Sequence, residues 1–212
     1  MLSVRLIIWG VVAFVFLAFF AWYTDLRGPL TESEISEYLA TLEARNAPPE
    51  TLARLTNFME EDTGRQFFML NAIDMSDNPP DVPGAAPGET AEQLMARYME
   101  HMYTELFSRA CHPTLIGPAV APAMDLVGTK GLSQAEDWTM GGFMRYRSRR
   151  SFMEIVTIPE TRERHDFKIA ALDKTIAYPV EARLNLGDPR WVLALVLVAL
   201  ASILDRLFVR SK

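Results

Sequence analysis

A single cysteine, Cys111, stands in a chain of 212 residues, so no disulfide can form within it. That lone thiol leaves the redox compartment open. Histidine is also scarce, at His101, His112 and His165, and the spacing of these residues matches no zinc pattern. The chain has no phosphate-cradling glycine loop, no dinucleotide fingerprint and no haem-attachment motif. Positive charge is in deficit. The net charge of −6 argues against a general nucleic-acid binder, and no nucleic-acid partner is expected. What the chain has in excess is apolar residues, 50% of the total, with a mean hydropathy of +0.06. The length suits one folded domain rather than two.

Two runs carry that excess. "LIIWGVVAFVFLAFFAWY", Leu6 to Tyr23, has no charged residue. As a helix it reaches about 27 Å, close to the hydrocarbon thickness of a bilayer. The competing reading is a cleaved signal peptide. Arg5 supplies a positive leader, but "AFFAWYTD" offers no small-x-small cleavage site, so an uncleaved anchor is expected. "WVLALVLVALASILDRLFV", Trp191 to Val209, is the second run. Its Asp205 and Arg206 lie near one end, where a charge can reach the interface, and Trp191 lies at the other. A buried or interfacial helix is the alternative for this run. Two spans put both ends of the chain on one side. The flanking basic residues favour cytoplasmic ends weakly, with the intervening domain outside the cytoplasm at a bacterial plasma membrane.

Between the runs, "LTESEISEYLATLEARN" and "APPETLARLTNFMEEDTG" predict two helices. The first opens on a Thr31/Glu34 capping box and the second on Pro48-Pro49, closing at Gly64. "RQFFMLNAIDM" predicts a strand that is apolar on both faces, with Asn71 as the exception. "TAEQLMARYMEHMYTELFSRA" is the clearest helix. Leu94, Met95, Tyr98, Met99, Met102, Leu106 and Ala110 make its apolar face. A Pro-broken extended segment follows, then the strand "WTMGGFMRYRS". After these come a helix from "SRRSFMEIV" that resumes through "TRERHDFKIAALDKT", and a short strand "TIAYPVE". The order is β-α-β-β-α-β, the ferredoxin-like plan of an α+β fold. The expected organisation is an anchor over 1–27, a helical hairpin over 28–64, the ferredoxin-like α+β domain over 65–186, and a C-terminal transmembrane helix with a basic tail over 187–212. A first strand apolar on both faces needs cover on both, which a homodimer joined through the sheet would supply.

The runs "FFMLNAIDM", "YMEHMYTELFSRA", "WTMGGFMRYRSRRSFMEIV" and "ERHDFKIAALDKTIAYPVE" together resemble the dimeric α/β-barrel superfamily over about residues 65–182. The likeness is to its small uncharacterised ferredoxin-like members, here with membrane anchors. Antibiotic-biosynthesis monooxygenases and muconolactone isomerases are more distant cousins. The resemblance implies a small organic molecule, in some members haem, bound between sheet and helices. It carries no catalytic motif with it, and a fold does not transfer a function.

The candidate site residues follow from alternation. On the strand ending at Tyr146, Met140, Met144 and Tyr146 share the face expected against the helices. Phe143, Arg145 and Arg147 share the other, where the arginines could clamp a carboxylate or pair with the domain's own acids. Arg149 and Arg150, at the turn, are expected in solvent. Asn71, Tyr98, His112, Arg145, Arg147 and Tyr146 are the polar residues expected nearest a ligand. Soft ligands in "MARYMEHMY" and Cys111-His112 would suit copper. However, the methionines lie on the core face and His101 is rotated away, so no metal and no cofactor is expected. Cys111 and His112 are neighbours in sequence, which does not make a catalytic dyad. Three functions compete: an interaction or small-molecule-binding module at the membrane, a monooxygenase- or isomerase-like enzyme acting on a hydrophobic molecule, and an accessory subunit of a membrane complex.

Overall fold

A computed structural model describes residues 2–129 and 134–209. Along the chain run α1 (Leu2–Tyr23), α2 (Glu32–Ala44), α3 (Pro49–Glu60), β1 (Phe67–Met75), α4 (Ala91–Ser108), β2 (His112–Pro118) and β3 (Met140–Tyr146). Then follow α5 (Arg149–Val156), α6 (Pro159–Glu163), α7 (His165–Ala170), β4 (Leu172–Val180) and α8 (Pro189–Val209). Two units separate. One spans residues 27–181, and the other joins the residues up to 26 with those from 182 on.

In the terminal unit α1 and α8 pack against each other, and both are long and apolar enough to cross a membrane. They run antiparallel, clamped near both ends. At one end Arg5 donates from Nε and Nη2 to the two carboxylate oxygens of Asp205, at 2.7 and 2.8 Å. At the other, Arg190 donates to Thr24 Oγ1 at 3.0 Å and lies over the rings of Phe20 and Tyr23. Asp205 is therefore held by an arginine on the other helix. In an apolar surrounding, a bidentate pair of this kind is the arrangement that makes two charges tolerable.

In the larger unit each helix begins where its local chemistry dictates. Thr31 caps α2 and Thr90 caps α4, and the backbone N–H of each donates in return to the side-chain oxygen of Glu34 or Gln93 three residues on. Pro49 opens α3. Gly64 follows α3 with φ +71°, and a Cβ there would lie 2.7 Å from the backbone of Gly28, so only glycine fits. The α2–α3 hairpin packs on α5 through Leu42, Met59 and Met153. The long helix expected from "SRRSFMEIV" onward is three short ones, α5, α6 and α7. Pro159 cannot donate to the preceding turn, and the chain restarts there.

The sheet is four-stranded and antiparallel throughout, in the order β2-β3-β1-β4. β4 begins at Leu172, earlier than its sequence pattern suggested. Phe67 and Met69 of β1 and Met144 and Tyr146 of β3 face the helices. With Met102, Leu106, Cys111 and Ile155 they form the main core. Phe67 stacks on Tyr146 with ring centroids 5.1 Å apart, and Phe58 and Phe152 meet Phe67 edge-on. β2 carries a bulge between Pro113 and Leu115. Opposite it, a Cβ on Gly142 would come within 2.9 Å of the Leu115 carbonyl, so the bulge needs glycine across from it. On the opposite face, register places Leu70 beside Phe143 and Tyr178, and Ala72 beside Ile176. Phe143, Ile176 and Tyr178 are exposed there.

The arginines that sequence reasoning left in solvent are structural. Arg150 is 2% exposed. Its guanidinium donates to both carboxylate oxygens of Glu34 and to the carbonyls of Gly28 and Pro29, tying α5 to the start of α2. Arg149 lies over the Phe58 ring, donates to the Phe58 carbonyl and pairs with Glu181 at 3.1 Å. Both positions follow α5, which starts at the turn and turns its first residues back onto the hairpin.

Candidate functional site

A cavity of about 820 Å³ lies between the helix-facing side of the sheet and helices α4, α6 and α7. Its size falls in the range of small-molecule sites. β1 contributes Met69, Asn71 and Ile73, and β3 contributes Met140 and Met144. These residues line one space because period-two alternation sends the odd residues of β1 and the even residues of β3 to the same face. Across from them α4 presents Met95, Tyr98, Met99 and Met102 at helical spacing. α7 adds His165 and Lys168, three residues apart on one side of a short helix. Six of the eleven methionines thus line the cavity. Their unbranched thioethers make an adaptable apolar wall.

The polar groups set into that wall have spare hydrogen-bonding capacity. Among the described residues the Tyr98 and Tyr146 hydroxyls make no hydrogen bond, and Lys168 makes no hydrogen bond or ion pair. Asn71 uses one amide donor on the Met69 carbonyl of its own strand, at 2.9 Å. The Lys168 ammonium lies 5.8 Å from the centre of the Tyr98 ring, and His165 meets that ring edge-on at 6.1 Å. Burial pushes the Tyr98 phenol up to about 12 and the Tyr146 phenol higher still. Burial also lowers Lys168, and burial together with the nearby Lys168 lowers His165. Each of these shifts favours the neutral form, as an apolar cavity does.

Of the six residues named from the sequence, Asn71, Tyr98 and Tyr146 meet at the cavity, while His112, Arg145 and Arg147 do not line it. Arg145 is 1% exposed. Its Nε donates to Gln66 Oε1 at 2.8 Å and its Nη1 to the Ala110 carbonyl. Ala110 ends α4 in the left-handed region, at φ +55°, and the guanidinium closes that helix terminus, where a cation is favoured. The carboxylate clamp expected of Arg145 and Arg147 is therefore not formed. Arg147 donates from Nε to Ser151 Oγ at 3.3 Å in the first turn of α5, and from its backbone N–H to Cys111 Sγ at 3.4 Å. His112 sits opposite Arg145 on β2 with Nδ1 3.0 Å from the Pro113 carbonyl oxygen. Cys111 is fully buried, and burial raises its thiol, which suits core packing rather than nucleophilic attack. His101 bonds Thr161 Oγ1 at 3.1 Å, joining α4 to α6. No cluster of metal-ligating residues occurs among the described residues.

Sequence reasoning missed His165 and Lys168. Their i,i+3 spacing was visible, but only the break at Pro159 sets the face of α7 toward the sheet.

No protein-family model and no curated protein matches the chain. Among solved structures, the protein RPA0582 of Rhodopseudomonas palustris, described as a protein of unknown function, is similar in fold. It has a TM-score of 0.50 and 19% identity over 65% of this chain and 95% of that one. The methylated RPA0582 protein gives a TM-score of 0.51 at the same identity, over 66% and 95%. At this identity the likeness shows the fold alone.

Proposed function

We propose that this chain is a membrane-anchored small-molecule-binding protein that holds an apolar ligand in the cavity between sheet and helices. The observation that carries the reading is the pairing of a methionine wall with unpartnered polar groups at Tyr98, Tyr146 and Lys168. These groups open into the cavity with donors and acceptors to spare, which is what a bound ligand would use. The strand order, with every neighbour antiparallel and a helix or helices between β1 and β2 and between β3 and β4, supports the ferredoxin-like plan. The dimeric α/β-barrel superfamily is one of several built on that plan, and membership of it is part of the proposal. The exposed apolar residues of the open sheet face support a homodimer joined there. Helices α1 and α8 support a two-span anchor in the bacterial plasma membrane, with the domain outside the cytoplasm.

A second reading, an enzyme acting on a hydrophobic molecule, is favoured by one feature. Lys168 and His165 are both shifted toward neutrality beside the cavity, as acid–base groups require.

The test is native mass spectrometry of full-length protein taken from alkaline-washed membranes, a wash that a two-span anchor survives. Ala177 of β4 is exposed into the cavity, where a large aromatic ring suits a strand. The wild type is expected to retain a small molecule that Ala177→Trp lacks. A wild type that is bare, or that washes off the membrane, contradicts the reading.

A further inference from the structure

The cavity's charges do not balance. Arg45, Arg162 and Lys168 line it against the carboxylates of Glu163 and Asp166, which leaves one positive charge over when His165 is neutral. Two of the cations are engaged: Arg45 donates to the Thr157 carbonyl, and Arg162 to the Arg45 carbonyl at 2.7 Å. Lys168 is the cation without a hydrogen bond or ion pair among the described residues. An ammonium on an apolar wall with no counter-ion is costly, and either loses its proton or takes up an anion.

We propose that the cavity binds a long-chain monocarboxylate, with the chain along the methionine wall and the carboxylate at Lys168 Nζ and the Tyr98 hydroxyl. This rests on the cavity being a ligand site and names the ligand's class. Three features select it. The single surplus charge matches a monoanion. A more highly charged phosphate head would set extra negative charge against Glu163 and Asp166. Flexible thioethers accept an unbranched chain better than a rigid polycycle requires. The Tyr98 ring, whose centre is 5.8 Å from the ammonium, also lines the cavity, and its unpaired hydroxyl gives the carboxylate a second donor within the same space.

The experiment is calorimetric binding of palmitate, hexadecanol and hexadecyl phosphate to the full-length protein in amphipol. Wild type is compared with Lys168→Ala, Lys168→Arg and Ala177→Trp. Palmitate is expected to bind wild type at least tenfold tighter than hexadecanol. Lys168→Ala should bring palmitate down to the hexadecanol level while leaving hexadecanol unchanged, which also shows that the variant is folded. Lys168→Arg should keep most of the preference, and Ala177→Trp should lose all three probes. Equal binding of palmitate and hexadecanol, or no effect of Lys168→Ala, overturns the head-group assignment and leaves the cavity reading standing. Preference for hexadecyl phosphate overturns the carboxylate in favour of a phosphate-headed lipid. Failure of all three probes with wild type, or their retention by Ala177→Trp, overturns both.

Discussion

Arginine and lysine take opposite roles in this chain. Arg145, Arg149 and Arg150 are spent on the protein's own carbonyls and carboxylates, a use that suits a planar fork with five donors. Lys168, a single point charge, is left facing the cavity. Glu34 shows how much one arginine can matter. Hydrogen bonding from Arg150, helped by Thr31, holds its carboxyl down to about 2 from its ordinary 4.5. A group with a depressed folded pKa stabilises the native state above its unfolded value and loses that contribution as pH falls through its folded value. The wild type should therefore lose thermal stability between about pH 4.5 and pH 2 more steeply than Glu34→Gln. At neutral pH, Glu34→Gln should itself cost about 1–2 kcal/mol, since the pair is partly open to water. Parallel thermal-unfolding profiles for the two proteins across that acid range would contradict this account.

At the scale of elements, short-range patterns were readable and long-range ones were not. The Thr31/Glu34 capping box, the proline opening α3 and the apolar face of α4 depend on residues close in sequence, and each predicted its helix. Alternation on β3 put Met144 and Tyr146 on the helix side, where they lie, while on β1 it separated two faces without telling which one meets the helices. What failed were partners distant in sequence. Arg150 meets Glu34 across 116 residues, and Arg5 meets Asp205 across 200. No local pattern encodes such pairs. Arg145 was assigned by alternation to the open face. The turn after α4, however, brings the Ala110 carbonyl to it and removes it from any ligand. The open face itself remains apolar, with Phe143 between Leu70 of β1 and Leu115 of β2. If two copies meet there, a charge at that point is left buried and unpaired. Light scattering on the purified protein should then give a dimer for wild type and a monomer for Phe143→Glu. A wild-type monomer, or a dimer indifferent to the substitution, would mean that the sheet face is not the contact.

For the whole molecule, two facts stand together: two helices apolar enough to cross a membrane, and a domain of net charge about −10 between them. The proposed binding protein tethered beside a bilayer would account for the helices, because an apolar ligand would be found where the protein is held. The resemblance pointed to a ligand between sheet and helices, but the cavity's wall takes shape only once α7 is turned against the sheet and the methionines of three elements share one space. Those methionines also provide the most direct test. In a carbon-13 methyl-methionine NMR spectrum of the full-length protein in amphipol, adding palmitate should shift or broaden the signals of Met69, Met95, Met99, Met102, Met140 and Met144, which line the cavity. Met59 and Met153, buried in the hairpin cluster, should stay in place. Uniform shifts across both groups, or none in the first, would contradict a ligand site between sheet and helices.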